Sequence, residues 1–192
     1  MFLLYAIVIG LVVGFLVGGR PSGLASLEFR WAPLAILGLA IQIALFSGPV
    51  SDRVGDLGPW IYVASTSLVL IVVLRNLRIT GLPIVALGAF SNLLAIVANG
   101  GYMPASPGAA AAAGRGTATT YSNSAITDGA VLAPLTDIFA MPQWMPFHNV
   151  FSIGDVLIGI GVFVAIVAAM RRGAAAERGG ASRNLPQPRT PA

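Results

Sequence analysis

The sequence predicts an all-α polytopic membrane protein with five transmembrane helices. Three observations predict it. Of 192 residues, 56% are hydrophobic and only 9% are charged, where a soluble domain has about 25% charged residues. The mean hydropathy is +0.84. The few charges are also spaced so that five long stretches contain none. They are too few to cover a water-facing surface. The long apolar runs exclude collagen-like and generally disordered chains.

A helix needs about 20 residues to cross the hydrocarbon core. The first span is expected near 2–18, in a charge-free run that ends before Arg20. No basic residue precedes it, so a retained helix is expected rather than a cleaved leader. The second is expected near 31–48, between Arg30 and Asp52, and the third near 59–75, between Asp56 and Arg75. The fourth, near 80–98, opens the longest uncharged stretch. The fifth, near 152–170, lies between Asp155 and Arg171. Residues 1–172 thus read as one bundle.

The connections are unequal. Residues 99–151 form a long extracytoplasmic loop, whose middle near 114–124 is rich in Gly, Ser and Thr and reads as a flexible surface lobe. Its later part, 131–151, is apolar but broken by Pro134, Pro142 and Pro146. It reads as an interfacial or re-entrant segment. Residues 173–192 are rich in Gly, Ala, Arg and Pro and read as a disordered cytoplasmic tail.

Arginine placement sets the orientation. Arg20, Arg30, Arg75, Arg78, Arg171, Arg172, Arg178, Arg183 and Arg189 fall on one set of alternate connections, and only Arg53 and Arg115 on the other. The positive-inside rule then places the N-terminus outside and the C-terminus inside a cytoplasmic membrane. Trp31, Trp60 and Trp144 fall near the expected boundaries, where indole rings suit the interface. The net charge of +4 comes from these scattered arginines, so nucleic acid is not an expected partner. Membrane lipids are, together with membrane-protein partners or a second copy of the chain. The tail arginines either meet anionic headgroups or simply mark orientation.

The chemistry available is limited. The chain has no cysteine, one histidine and seven acidic residues, so no cofactor and no metal site is predicted. Gln42, in the second span, and Asn92, in the fourth, need hydrogen-bond partners in hydrocarbon. Asn92 and Asn99 lie two turns apart on one helix face, about 10 Å along the axis. Asn92 reads as a bundle-fixing group and Asn99, with Gly100 and Gly101, as a helix stop, or the two asparagines read as walls of an outward-facing pocket. His148, Asn149 and Ser152 are expected beside that pocket. Gly10, Gly14 and Gly18 give two G-x-x-x-G spacings, which permit close helix contact.

Asp137 and Asp155 are the sharpest feature. Ser152 stands three residues before Asp155 and can cap the last helix, with Asp155 at its third position. Alternatively, a loop folding back brings the two carboxylates together. One then holds a proton and the other activates water.

Residues 137–155, with Asp137, Pro142, Trp144, Pro146, Phe151 and Asp155, locally resemble the C-terminal region of lipoprotein signal peptidases. That resemblance implies an aspartyl dyad of Asp137 and Asp155. The chain departs from the family pattern at Ser152 and Gly154, where the family has Asn and Ala. Over most of residues 1–170 the chain resembles the DUF5317 type of uncharacterised bacterial membrane protein. The cues are Ser91 and Asn92, the run 98–104, Asp137 and the segment 151–155. The lack of lysine suits a bacterium with a GC-rich genome. The favoured functional reading is a noncatalytic subunit or scaffold of a membrane assembly. The alternatives are an aspartyl-dyad membrane peptidase and a small lipid-binding or transport-related protein.

Overall fold

The computed structural model describes residues 2–114 and 124–183, with the backbone alone at Ser124 and at 179–183. The first six helices are α1 (Phe2–Leu16), α2 (Ser22–Ala25), α3 (Ala32–Leu45), α4 (Gly48–Val54), α5 (Gly58–Arg75) and α6 (Leu82–Ala98). A small lobe follows, with β1 (Met103–Ala105), α7 (Pro107–Ala112), β2 (Ser124–Ile126), β3 (Phe139–Ala140) and β4 (Val150–Phe151). The long α8 (Ile153–Arg183) closes the chain.

The five-span expectation is corrected. Only two helical stretches among the described residues, Gly48–Arg75 and Ile153–Arg178, are long and apolar enough to cross a membrane. The first joins α4, a 3-10 turn and α5. Helices α1, α3 and α6 have 15, 14 and 17 residues. At 1.5 Å per residue they reach about 21–26 Å, short of a hydrocarbon core of about 30 Å. Distances between charges overstated them, because uncharged residues end each helix early. Gly18 has φ +76° and Gly100 has φ +72°, left-handed angles at which a right-handed helix stops. Trp31, at φ +61°, holds back the start of α3.

The chain is also not all-α. In the lobe β1 pairs with β2 in parallel, and β3 with β4 antiparallel. Residues 131–151 form no re-entrant helix. They contain one 3-10 turn, Ala133–Leu135, and the β3–β4 hairpin. The prolines at 134, 142 and 146 remove backbone donors and leave only turns and short strands. At the other end of the chain α8 runs on to Arg183, so the expected disordered tail begins in helix. Its alanines from 174 to 176 favour that continuation. Arg115, most of the 114–124 stretch and residues 184–192 lie outside the described residues.

Helix α8 is the axis of the body. Helix α1 packs along it in parallel fashion and α6 in antiparallel fashion. Gly10 of α1 meets Phe163 and Ile166, and Gly14 meets Met170. Gly81, before α6, meets Gly161 and Ala165, and Gly88 meets Gly154. A Cβ at Gly81 or Gly88 would strike an α8 carbonyl, so glycine is what allows these backbones to approach. Gly18 meets nothing, so only the first G-x-x-x-G forms a contact. Gly38 of α3 packs on Ser65 and Val69 of α5.

Small residues thus make these helix contacts, Leu45, Val72, Ile96 and Met170 are buried, and many other large apolar side chains face outward. Leu16 is 80% exposed, Ile43 75% and Ile36 65%. Val12, Phe15, Leu87 and Phe90 are exposed as well.

The same packing gives the body two unlike ends. Arg20 and Met170 are joined by a backbone hydrogen bond, Arg30 is bonded to Asn76, and the Arg75 guanidinium stacks on Trp31. One end thus carries Arg20, Arg30, Arg75, Arg78, Arg171, Arg172 and Arg178. The other end carries the lobe, with Arg53, Asp52, Asp56, Asp128, Asp137 and Asp155.

Candidate functional site

The start of α8 is built by a reciprocal cap. Ser152 precedes the helix, and its Oγ accepts the Asp155 backbone N–H at 3.0 Å. The Ser152 N–H donates back to Asp155 Oδ2, also at 3.0 Å. Two backbone donors without intrahelical partners are satisfied at once, and the carboxylate sits at the positive end of the helix dipole.

Asn92 of α6 joins the cap from across the helix interface. Its Nδ2 donates to Asp155 Oδ1 at 2.9 Å. Ser152 Oγ lies 2.8 Å from Asn92 Oδ1 and 3.1 Å from Asp155 Oδ2, and its single proton serves one of them. Ser152 is completely buried. Gly154 is what lets the Asn92 amide come so near, since a Cβ there would overlap it.

The β3–β4 hairpin brings the second aspartate to the same place. Phe139 pairs with Phe151 and Ala140 with Val150, which folds residues 141–149 back. Upstream, the Asp137 N–H donates to Pro104 O at 2.9 Å and its carbonyl accepts from Ser106 N–H at 3.1 Å. Asp137 is thus pinned to β1 and is 7% exposed. The Phe151 ring stacks between Phe2, at 4.8 Å, and Phe139, at 5.4 Å. Tyr5 Oη donates to Pro146 O at 2.6 Å. Helix α1 is thereby fastened to the lobe at its first turns.

A cavity of about 260 Å³ lies between these parts. Its polar wall is Tyr62, Asn92, Asp137, Asn149 and Asp155. Its apolar wall includes Phe2, Leu3, Ile96, Met103, Phe151 and Ile158. Two acidic side chains and two amides, with no basic group among the lining residues, suit a small ligand rich in hydrogen-bond donors that also has an apolar part.

Of the expected site residues, Asn92, Asn149, Asp137 and Asp155 line this cavity. Ser152 stands behind it in the cap. Asn99 does not line it. It ends α6 with φ −111° and leaves the helical path, so the face it nominally shares with Asn92 is lost. Its side chain instead bonds Ala95 O and both backbone groups of Val131, each at 2.8 Å. His148 is exposed in a turn, with Nδ1 3.2 Å from Met145 O. Gln42 Nε2 donates to Thr66 Oγ1 at 3.2 Å and links α3 to α5.

Two contributors escaped sequence reasoning. Tyr62, buried in the third apolar run, reads as an ordinary core residue until the cavity is seen. Asn76 follows α5, and its helix-stop position was the one available signal. Among the described residues no group of three His, Cys, Asp or Glu side chains is placed to hold a metal.

A family model described as a family of unknown function, DUF5317, matches residues 26–167. The chain belongs to that family. No curated protein and no solved structure matches it. The local likeness to lipoprotein signal peptidases has no counterpart among these matches.

Proposed function

We propose that this member of the DUF5317 family is a membrane-inserted, noncatalytic subunit of the bacterial cytoplasmic membrane, whose lobe-end cavity receives a small partner molecule. The observation that carries the reading is the apolar exterior, with many Leu, Ile and Phe side chains exposed and glycines at the helix contacts. In water such a surface would be one large apolar patch. In hydrocarbon it costs nothing, and helix association rests on close van der Waals contact between small residues.

The stretches Gly48–Arg75 and Ile153–Arg178 cross the bilayer in this reading, with the shorter apolar helices packed beside them. The arginine end faces the cytoplasm and the lobe faces outward, together with the N-terminus. Exposed Trp31 at one end, and Trp60 and Trp144 at the other, support that placement. The noncatalytic part of the proposal follows from Asp155. Both its oxygens are engaged by the cap and Asn92, so its role is to hold α6 on α8.

Alkaline carbonate extraction tests the placement, and native mass spectrometry of the purified chain tests the cavity. The chain is expected to remain in the pellet, with a copurifying small molecule that Leu3→Trp, at the cavity wall, displaces. Release by carbonate, or a chain with the same bound mass in both forms, counts against the proposal.

A second reading is an aspartyl peptidase. It is favoured by one observation, that Asp137 and Asp155 line the same cavity. It requires Asp137→Asn and Asp155→Asn each to abolish cleavage of a membrane-bound peptide with the fold intact.

A further inference from the structure

The end opposite the lobe has a large charge imbalance, with seven arginines against Glu28 and Glu177. Glu177 is already engaged. Its Oε1 accepts from Ser22 Oγ at 2.8 Å, and its Oε2 lies 3.6 Å from Arg20 Nε. That pairing turns the carboxylate toward α2. On another side of α8 a second cavity, of about 290 Å³, is lined by Val17, Gly18, Arg171, Arg172, Ala175 and Arg178.

Among the described residues the side chains of Arg171 and Arg172 make no hydrogen bond or ion pair. Arg178 uses one donor, Nε, on Ala174 O at 3.2 Å. Arg171 and Arg178 are two turns apart on one face of α8, about 10 Å along the axis. The alanines between them leave the space open. Beside the cavity the last turn of α1 presents Phe15, Leu16 and Val17, all exposed.

Guanidinium groups recognise phosphate oxygens through paired N–H donors. A cationic site bordered by an apolar helix end matches a molecule with a phosphate and hydrocarbon chains. We propose that this cavity binds the phosphate of an anionic phospholipid, with the acyl chains against the end of α1. The proposal rests on the membrane placement above. It differs from simple orientation marking, in which every arginine at this end contributes alike.

The test uses the full-length chain in phosphatidylcholine nanodiscs containing a small fraction of labelled phosphatidylglycerol. Binding of the labelled lipid is compared among variants. Arg171→Gln with Arg178→Gln is expected to weaken binding about 30-fold, or roughly fivefold per arginine. Arg30→Gln with Arg78→Gln removes the same charge from the same end outside the cavity and is expected to leave binding within twofold. Arg171→Lys with Arg178→Lys keeps the charge but loses the paired donors, so it should bind more weakly than the unaltered chain and more tightly than the glutamine pair, which separates loss of the site from misfolding.

Equal losses in the two glutamine pairs overturn the proposal. Displacement by millimolar inorganic phosphate would keep the anion site but overturn the lipid as its occupant. Carbonate extraction reports on membrane placement separately. A chain that stays in the bilayer yet loses binding equally in both pairs fails only here.

Discussion

Asn76 and Asn99 make the same three hydrogen bonds at opposite ends of the helical body. Each follows the last residue of its helix, and each Nδ2 donates to its own helix's i−4 carbonyl, Val72 O or Ala95 O, at 2.8 Å. Each side chain also clamps both backbone groups of one distant residue, Arg30 for Asn76 and Val131 for Asn99. An amide offers a donor and an acceptor on one rigid plane, so it can replace a missing strand neighbour. One clamp ties the α2–α3 connection to α5, and the other ties the lobe to α6.

Asn99→Ala should therefore loosen the lobe and leave the arginine end alone. The expected cost is about 1–3 kcal/mol, for net hydrogen-bond contributions near 1 kcal/mol each. Hydrogen exchange at Val131 should accelerate in Asn99→Ala and stay unchanged in Asn76→Ala. The reverse pattern should hold at Arg30. Identical exchange maps for the two variants would show that the clamps are not local.

Asn92→Leu removes the bond from α6 to the α8 cap. Interhelical bonds of this kind average about 0.6 kcal/mol, with a maximum near 1.7 kcal/mol. A small fall in thermal midpoint in detergent is expected. A larger fall is expected for Asp155→Ala, which loses the cap as well, at about 1 kcal/mol more. An Asp155→Ala chain no less stable than Asn92→Leu would remove the capping role.

Gly154→Ala tests the close approach of α6 to α8. The added methyl would overlap the Asn92 amide and the Gly88 carbonyl. Overpacking of this kind costs about 1–3 kcal/mol. Gly129→Ala is the control, because nothing lies near Gly129. Equal midpoints for the two variants would contradict the packing described here.

Orientation can be read with introduced cysteines, since the chain has none of its own. Asp128→Cys should react with an impermeant maleimide in intact cells. Arg172→Cys should react only after the cytoplasmic side is opened. Both positions are exposed, so a reversed pattern would invert the proposed topology.

The sequence by itself determined the apolar character of the helices, the gathering of arginines at one end and the helix cap at Ser152 and Asp155. These follow from local composition and spacing, because desolvation and capping act on residues close in the chain. Helix lengths were not legible. A gap between charges measures where charge is absent, whereas left-handed angles at Gly18 and Gly100 decide where helices stop and that at Trp31 where one starts. The site was legible in part. Asn92, Asn149, Asp137 and Asp155 stood out as polar residues in apolar surroundings, and the two glycines after Asn99 marked a helix stop there, but no local signal gave the partner of either asparagine. Only the tertiary structure decided that one faces the cavity while the other clamps Val131. It did so through contacts between residues 32 to 63 positions apart, which no sequence period encodes. The hairpin pairing of Phe139 with Phe151 likewise places Asp137 on the cavity wall, because strand register, not spacing, fixes which residues meet.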